Sequence, residues 1–318
     1  MSPAPGGPGP SGQPRHGYLL LAAITLFWGI NWPAIKLSLG VLSIWEFRLL
    51  CAAVGGLGLL ALSLLGGHGL RVPRRQVGPL LLCALFNIVG WHLLSAFGVL
   101  LMPAGRAVIL AFTMPLWASL LAVPLLGERL DATRIAGLLL GLAGLAVLVG
   151  PDLLVFGTAP LGATMMLLAA ASWGLGTVLL KRFRWTLPTT TLAGWQQVAG
   201  AVVIGLGGLA VGGLGSWSPD AKLSEAGLPE ASLVEALAIL YAATVPMVFC
   251  IWAFMHTVRL LPAQIAAIGT LAIPVVGVFS SALLLEEVVG LRELLALGLI
   301  CTALAIVLLL PLRRRQAG

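Results

Sequence analysis

Apolar residues fall into successive runs along the chain, separated by short stretches of Gly, Pro and charged residues. A run of about 20 residues crosses the roughly 30 Å hydrocarbon core of a bilayer as an α-helix, whereas the strands of a barrel would be half as long and would alternate with polar residues. The pattern predicts an all-α integral membrane protein with ten transmembrane helices, near residues 18–39, 44–65, 77–100, 104–126, 132–150, 160–181, 189–213, 233–257, 262–285 and 289–311.

Both ends of the chain are polar and lie outside these runs. Residues 1–16 are rich in Pro and Gly, which predicts a disordered tail. They lack a charged start followed by a short apolar stretch and a small-residue cleavage site, so no removable signal peptide is expected. Residues 312–318 include three consecutive arginines and are predicted to form a basic cytoplasmic tail.

Composition excludes a soluble globular fold. Hydrophobic residues make up 59% of the 318 residues and charged residues 9%, against about 25% charged residues in soluble domains. The four cysteines lie inside apolar runs without metal-binding spacing, so we expect neither a metal site nor a cofactor. The chain also lacks the motifs of an intramembrane hydrolase or an ATP-driven pump, so we do not expect an enzyme.

The distribution of Lys and Arg predicts the orientation in the membrane. Ten spans place both termini on one side, and thirteen of the eighteen basic residues then fall on that side. The positive-inside rule makes this side the cytoplasm. The net charge of +7 therefore reflects topology and not nucleic-acid binding, because the basic residues are dispersed and no nucleic-acid-binding motif accompanies them. We expect a multi-pass protein of a bacterial plasma (inner) membrane.

Two segments of the sequence recur at nearly fixed spacing. Trp28–Gly29 precedes Lys36 by eight residues, and Trp173–Gly174 precedes Lys181 by eight residues, which gives an offset of 173 − 28 = 145. Later in each half, the segment LLMPAGRAVILAFTMP matches RLLPAQIAAIGTLAIP at an offset of 159. A longer connection near residues 214–232 accounts for the difference between the offsets. The chain is therefore predicted to contain two copies of one unit, residues 18–150 and 160–311.

Each predicted copy has five spans, and an odd number requires the second copy to be inverted relative to the first. The basic residues agree, since Lys36 falls outside and its counterpart Lys181 falls inside. Inverted repeats related by an axis in the membrane plane are typical of alternating-access transporters, whose substrate site lies near the midplane between the repeats.

The motifs in the two halves resemble those of the EamA family of the drug/metabolite transporter superfamily, from about Tyr18 to Leu312. The resemblance is carried by WGINWPAIK in span 1, the Arg of WEFRLL in span 2, LLMPAGRAVILAFTMPLWASLLAVPLLGERL across span 4 and IAGLLLGLAGLAVLVG in span 5. The second half departs from the pattern, because Glu286–Glu287 stands where the family has Gly–Glu after the ninth span.

This resemblance implies a fold of ten helices in two inverted EamA repeats. It also implies a central cavity lined by helices 1, 3, 4, 6, 8 and 9, with helices 5 and 10 as peripheral scaffold. Substrates of the family include amino acids, other small metabolites and drugs, and they are usually exported.

Polar and aromatic side chains deep in apolar spans are the candidate site residues, since such groups are costly in lipid. We expect the following to line the cavity: Trp28, Asn31, Asn87, Trp91, His92, Ser95, Thr113, Trp117, Trp173, Thr177, Tyr241, Thr244 and Thr270. Helix packing remains an alternative role for the tryptophans. Four prolines interrupt spans and are either hinges or static kinks: Pro33, Pro115, Pro246 and Pro274.

Charged groups within the spans are few. His92 and His256 either carry a proton during transport or are structural. Arg48 either neutralises a substrate carboxylate or extends to the interface. The predicted cavity helices have no mid-span Asp or Glu, which argues against the carboxylate-based proton exchange of small multidrug exporters and favours a net-neutral solute such as a zwitterionic amino acid.

The sequence therefore predicts a secondary transporter that exports small organic metabolites, amino acids first among them, by alternating access. A multidrug exporter of cationic compounds and an uptake carrier for another metabolite remain alternatives. The expected partners are the small-molecule substrate and the lipid bilayer, with the protein as a monomer or weak homodimer and no nucleic acid bound.

Overall fold

The computed structural model describes residues 13–128, 132–153, 158–214, 232–260 and 263–316, and this part of the chain is helical, with no strand. Its helices are numbered to match the predicted spans. They are α1 (Gln13–Ser38), α2 (Ile44–Leu65), α3 (Arg74–Leu101), α4 (Ala104–Leu126), α5 (Ala132–Leu153), α6 (Thr158–Arg182), α7 (Thr189–Ala210), α8 (from Leu233 to Leu260), α9 (Ala263–Leu285) and α10 (Leu291–Gln316).

Three of these helices are locally irregular. α3 and α8 each contain one π-helical turn, Leu85–Gly90 and Val245–Cys250 respectively. α4 consists of Ala104–Ala111 and Met114–Leu126, joined by a turn.

Seven helices are long and apolar enough to cross a membrane, namely α1 to α4 and α6 to α8. The described parts of α5 and α9 contribute shorter apolar stretches, Ile135–Leu148 and Ala272–Leu285. The chain is thus an all-helical multi-pass protein, and the number of ten spans stays a prediction. α1 begins at Gln13, so most of the predicted disordered tail lies outside the described residues, and α10 runs on to Gln316 through much of the predicted basic tail.

Two helices begin with a capping box, in which a serine and a glutamate satisfy backbone amides reciprocally. At α2, the amide of Ser43 donates to Glu46 at 3.0 Å and the amide of Glu46 donates to Ser43 Oγ at 3.2 Å. Ser232 and Glu235 make the same pair at the start of α8, at 2.8 and 3.3 Å. Glu46 therefore serves to cap the start of α2.

The packing between helices repeats itself when the two halves are exchanged. α2 packs along α7 and α5 along α10, which pairs helices at equivalent positions in the two halves. The contact of α1 with α9 recurs as that of α6 with α4, and the contact of α3 with α6 recurs as that of α8 with α1. The fold is therefore built from two equivalent units that interleave.

The crossing of α2 and α7 shows the relative direction of the units. A Cβ atom on Gly56 would lie 2.9 Å from the backbone nitrogen of Val198, and one on Gly194 would lie 3.1 Å from that of Leu60. Residue numbers rise along α2 while they fall along α7, so these equivalent helices run antiparallel, as in an inverted repeat. The glycines allow this close approach of the two backbones.

The chain turns in the same way after α4 and after α9. Gly127 has a φ of 69°, and Glu286, at the equivalent position, has a φ of 54°. This left-handed conformation suits glycine but costs a residue with a Cβ atom about 1–2 kcal/mol. The departure from the family pattern at Glu286 therefore changes the residue and keeps the turn.

Replacing Glu286 with glycine is expected to raise the free energy of unfolding by about 1 kcal/mol, because the left-handed strain is removed. Thermal unfolding of the purified protein in detergent measures the change. Gly127→Glu is the reciprocal variant and should lower stability by a similar amount. A lower unfolding temperature for Glu286→Gly would contradict the expectation.

Candidate functional site

The two π-helical turns occupy equivalent places in the two halves. They begin at Leu85 in α3 and Val245 in α8, an offset of 245 − 85 = 160 that matches the sequence repeat to within one residue. A π turn disturbs the regular ladder of helix hydrogen bonds, and such turns are frequent at functional sites. The π turns therefore mark α3 and α8, where the two units meet, as the centre of the candidate site.

Each π turn is bonded to the first helix of the opposite unit. Ser172 Oγ, on α6, donates to the carbonyl of Phe86 at 2.8 Å. Trp28 Nε1, on α1, donates to the carbonyl of Pro246 at 3.4 Å. The two accepting carbonyls are again 160 residues apart (246 − 86), whereas the donors are not equivalent, since Ser172 corresponds to Phe27 and Trp28 to Trp173 at the offset of 145. Pro246, predicted as either a hinge or a static kink, lies inside the π turn of α8.

Two neighbouring glutamines of α7 connect the π turns of both units. Asn87 Nδ2, in α3, donates to Gln196 Oε1 at 3.2 Å. Gln197 Nε2 lies 3.8 Å from Met247 Sδ, in α8, as a weak hydrogen bond. All three amide side chains are buried, and the buried oxygens Asn87 Oδ1 and Gln197 Oε1 have no hydrogen-bond partner. An unpaired buried polar atom costs about 1–3 kcal/mol, so these oxygens are available acceptors.

A second polar group lies farther along α3. Arg48, on α2, donates from Nη2 to Ser95 Oγ at 3.1 Å, and Ser95 Oγ in turn donates to the carbonyl of His92 at 3.4 Å. All three side chains are buried. His92 Nδ1 and Arg48 Nε are buried without a hydrogen-bond partner.

A row of tryptophans crosses from α1 through α3 to α6. The ring of Trp91 lies edge-on to Trp32 at 6.5 Å between centroids and to Trp173 at 5.3 Å. Trp91 and Trp173 were both predicted as cavity residues, with helix packing as the alternative, and the structure places their rings in contact. Trp173 is 37% exposed, so the row is open at its α6 end.

Other predicted site residues lie at the contact of α1 with α8. Tyr241 donates from its hydroxyl to the carbonyl of Phe27 at 2.6 Å, and Trp28 packs against Phe254 with 5.7 Å between ring centroids. Asn31 Oδ1, also on α1, is buried without a hydrogen-bond partner. His256 packs on Trp252 within its own helix, which fits the structural alternative for this histidine.

Three predicted threonines bond to their own helices. Thr113 donates to Leu110 at 2.7 Å, Thr177 to Trp173 at 2.9 Å and Thr244 to Leu240 at 2.6 Å, each through its hydroxyl to a backbone carbonyl. Thr244 also borders an otherwise apolar groove between α2 and α8. The side chain of Thr270 lies outside the described residues.

One tryptophan and three prolines remain among the predicted residues. Trp117 packs against Gly174 where α4 meets α6. Pro33 and Pro274 lie within α1 and α9, which continue through them, and Pro115 follows the turn that divides α4. Among the described residues, no three His, Cys, Asp or Glu side chains cluster in a way that could hold a metal ion.

Equivalent lysines and glutamates close the two ends of the helix bundle. Lys181 forms an ion pair with Glu128, which follows α4. Lys36 donates to the carbonyl of Val99 at 2.6 Å at the end of α3. Glu287 accepts the amides of Ala104 and Gly105 at 2.6 and 2.8 Å and so caps α4. Each end of the bundle is thus held by a lysine and a glutamate that have equivalents in the other half, Lys36 with Lys181 and Glu128 with Glu287.

Comparison with known proteins agrees with this architecture. The EamA-like transporter family matches residues 15–150 and again residues 160–309. The chain belongs to this family. The family prediction is thus confirmed, and the protein is a membrane transporter and not an enzyme.

Several relatives of this EamA-like protein carry names of transporters. It is 33% identical over 177 residues to the aromatic amino acid exporter YddG of Ancylobacter novellus, covering 54% of this chain and 61% of that one. It is 27% identical over 309 residues to a probable amino-acid metabolite efflux pump of Escherichia coli K12, covering 92% and 94%. An uncharacterized inner membrane transporter of the same organism, YedA, is 30% identical over 293 residues, covering 91% and 89%.

A solved crystal structure covers 95% of this EamA-like chain and 99% of its own, with a TM-score of 0.63 and 23% identity. At this identity the likeness shows the fold alone. Together, the apolar helices and the inner-membrane relative show a multi-pass inner-membrane protein.

The two glutamines that join the halves are recognisable in the sequence as polar residues within span 7, but they are not among the residues expected to line the cavity, because the resemblance assigns the cavity to helices 1, 3, 4, 6, 8 and 9. Gln196 and Gln197 are adjacent, so only the folded chain shows that one reaches α3 and the other α8. The available signal was two amides side by side in an otherwise apolar span.

Proposed function

We propose that this EamA-family transporter exports amino acids across the inner membrane by alternating access. We further propose ten membrane spans, both termini in the cytoplasm, and a monomer or weak homodimer as the working unit. One chain contains both repeats and therefore a complete interface between them. The predominance of Lys and Arg in the predicted inner loops supports the orientation.

The buried amide oxygens at the interface of the repeats carry this proposal. Asn87 Oδ1 and Gln197 Oε1 are buried without a hydrogen-bond partner among the described residues, and Asn87 stands four residues before Trp91, whose ring contacts those of Trp32 and Trp173. A solute that donates hydrogen bonds to such acceptors and places an apolar side chain on the aromatic rings would satisfy both features.

The charge of the site favours an amino acid over a cationic drug. The carboxylates in the described residues lie at helix starts and at the ends of the bundle, as Glu46, Glu128 and Glu287 do. A multidrug exporter would need acidic groups in its aromatic cavity to attract cations. The names of two relatives, an aromatic amino acid exporter and a probable amino-acid metabolite efflux pump, support the same substrate class.

Efflux from proteoliposomes loaded with radiolabelled amino acids tests the proposal. We expect the protein to accelerate release of aromatic and other neutral amino acids several-fold over protein-free vesicles, with little effect on a cationic dye. Inward and outward gradients compared in oriented vesicles measure the direction. Release of the dye with no release of any amino acid would overturn the assignment and favour a drug exporter.

A further inference from the structure

Among the residues that the structure describes, Arg48 is a buried charge with no opposite charge paired to it. Its side chain is 2% exposed, in the second turn of α2. Within the described residues its hydrogen bond is that from Nη2 to Ser95 Oγ, and Nε is buried without a partner. A guanidinium has five donors and remains protonated in proteins, so this group is far from satisfied.

The described surroundings of Arg48 supply no counter-ion. Its guanidinium lies 5.1 Å from the centroid of the Phe47 ring and close to Cys51 and His92, which carry no negative charge at neutral pH. Glu46 is the nearest carboxylate in the sequence, and it closes the capping box with Ser43. A buried charge without a partner is strongly destabilising, so Arg48 requires a reason beyond packing.

Extension to the membrane interface does not provide that reason. A snorkelling arginine keeps its charged head in water while its stem lies on apolar surface. The whole side chain of Arg48 is buried, and its head points to Ser95 on α3. The sequence left both roles open, and the burial favours the binding of an anion.

We propose that Arg48, with Ser95 and His92, forms a subsite for the carboxylate of the transported solute. The planar guanidinium matches a carboxylate through two parallel hydrogen bonds. His92 Nδ1 is unpaired beside it, and the Ser95 hydroxyl already holds the guanidinium in place. One buried cation neutralises the single negative charge of a carboxylate, while the ammonium group of a zwitterionic amino acid needs hydrogen-bond acceptors, such as unpaired amide oxygens.

This inference rests on the proposed function and makes it specific, because it requires a free carboxylate on the solute. The wild-type protein should carry an amino acid about 30-fold or more faster than its amide or its decarboxylated amine, the usual range for losing one partner of a buried charge pair. Counterflow in proteoliposomes with phenylalanine, phenylalaninamide and phenethylamine measures this preference without any variant.

Substitution then tests whether Arg48 is responsible. Arg48→Gln should lower phenylalanine transport about 30-fold and leave phenylalaninamide unchanged, so that the preference disappears. Arg48→Lys keeps the charge but loses the planar fork, and should fall between the two. Arg75→Gln, an exposed arginine at the start of α3, is the matched control and should behave as wild type.

The outcomes separate this inference from the proposed function. If the wild-type protein carries acid and amide equally well, the carboxylate subsite is wrong while export of amino compounds stands. If neither moves, the proposed function itself fails. A folded Arg48→Gln protein that keeps the preference would also overturn the subsite. Should that variant not fold, wild-type unfolding temperature decides the matter: phenylalanine should raise it, and phenylalaninamide should not.

Discussion

Gly56→Leu is expected to prevent stable folding, with a loss of about 3 kcal/mol or more in the free energy of unfolding. A Cβ atom at this position would lie 2.9 Å from the backbone nitrogen of Val198 and 2.8 Å from its Cγ2 atom. A side chain can rotate away, but a backbone nitrogen in α7 moves only if the whole helix moves. The crossing of α2 and α7 joins the two repeats, so its separation should destabilise the entire bundle.

The effect extends to the site, since the same Cβ atom would lie 3.2 Å from Cβ of Gln197. Variants that still fold should therefore transport poorly. The yield of monodisperse protein in detergent and its unfolding temperature are the measurements. A wild-type yield and unfolding temperature for Gly56→Leu would show that α2 and α7 are not in close contact.

Gly298→Leu provides a matched control in α10. A Cβ atom there would meet nothing within 4 Å. Leucine also favours the helix over glycine by about 0.8 kcal/mol, so this variant should be as stable as wild type or slightly more so. The opposite signs of the two substitutions separate the helix crossing from a general intolerance of leucine at glycine positions.

Helix packing explains why the architecture could be predicted from sequence. Apolar run length indicates a spanning helix, and the recurrence of Trp28–Gly29 at Trp173–Gly174 indicates two equivalent units. The symmetric packing of the helices and the antiparallel crossing of α2 with α7 agree with both. Even the departure at Glu286 left the turn unchanged, because the flanking helices determine its direction and the residue has to adopt the left-handed conformation.

The π turns could not be predicted in this way. The segment Leu85–Gly90 contains no proline, so nothing in its sequence separates it from regular helix. Its position depends on contacts with the other unit, such as the hydrogen bond from Ser172 to the carbonyl of Phe86. The second π turn contains Pro246, which sequence reasoning treats as a hinge or kink without specifying the helix type.

Candidate site residues were harder to predict than the fold because a polar side chain in a span can form its hydrogen bonds in two ways, either within its own helix or with a neighbouring helix. Short side chains such as Thr177 and Thr244 reach a carbonyl of their own helix and need no partner elsewhere. Longer amides such as Asn87 and Gln197 reach a neighbouring helix and keep an unpaired oxygen. Side-chain length therefore helps to distinguish polar residues that bond within their own helix from those that reach a neighbouring one, which polarity alone does not.

Trp91→Ala is expected to reduce amino-acid transport about 100-fold while the protein still folds. The Trp91 ring is half-buried between Trp32 and Trp173, and its removal opens a gap in the wall next to the amide of Asn87, one helical turn away on α3. Truncation of a large aromatic side chain costs about 3–5 kcal/mol in a closed core. Because the Trp91 ring is only half-buried, we expect much of this loss to weaken solute binding and not protein folding. A loss of about 2.7 kcal/mol in binding corresponds to the expected 100-fold reduction.

The comparison with Trp185→Ala distinguishes this role from packing in general. Trp185 follows α6, donates from Nε1 to the carbonyl of Leu180 at 2.9 Å and lies edge-on to Phe183. The Trp185 side chain is as large as that of Trp91 and also half-buried, but Trp185 is far from both π turns in the sequence. Its removal should therefore leave the transport rate close to that of the wild-type protein. Trp91→Phe keeps a ring and should restore part of the rate. Wild-type transport by folded Trp91→Ala would assign the tryptophan row to helix packing, because a solute that rested on the Trp91 ring could not be carried equally well without it.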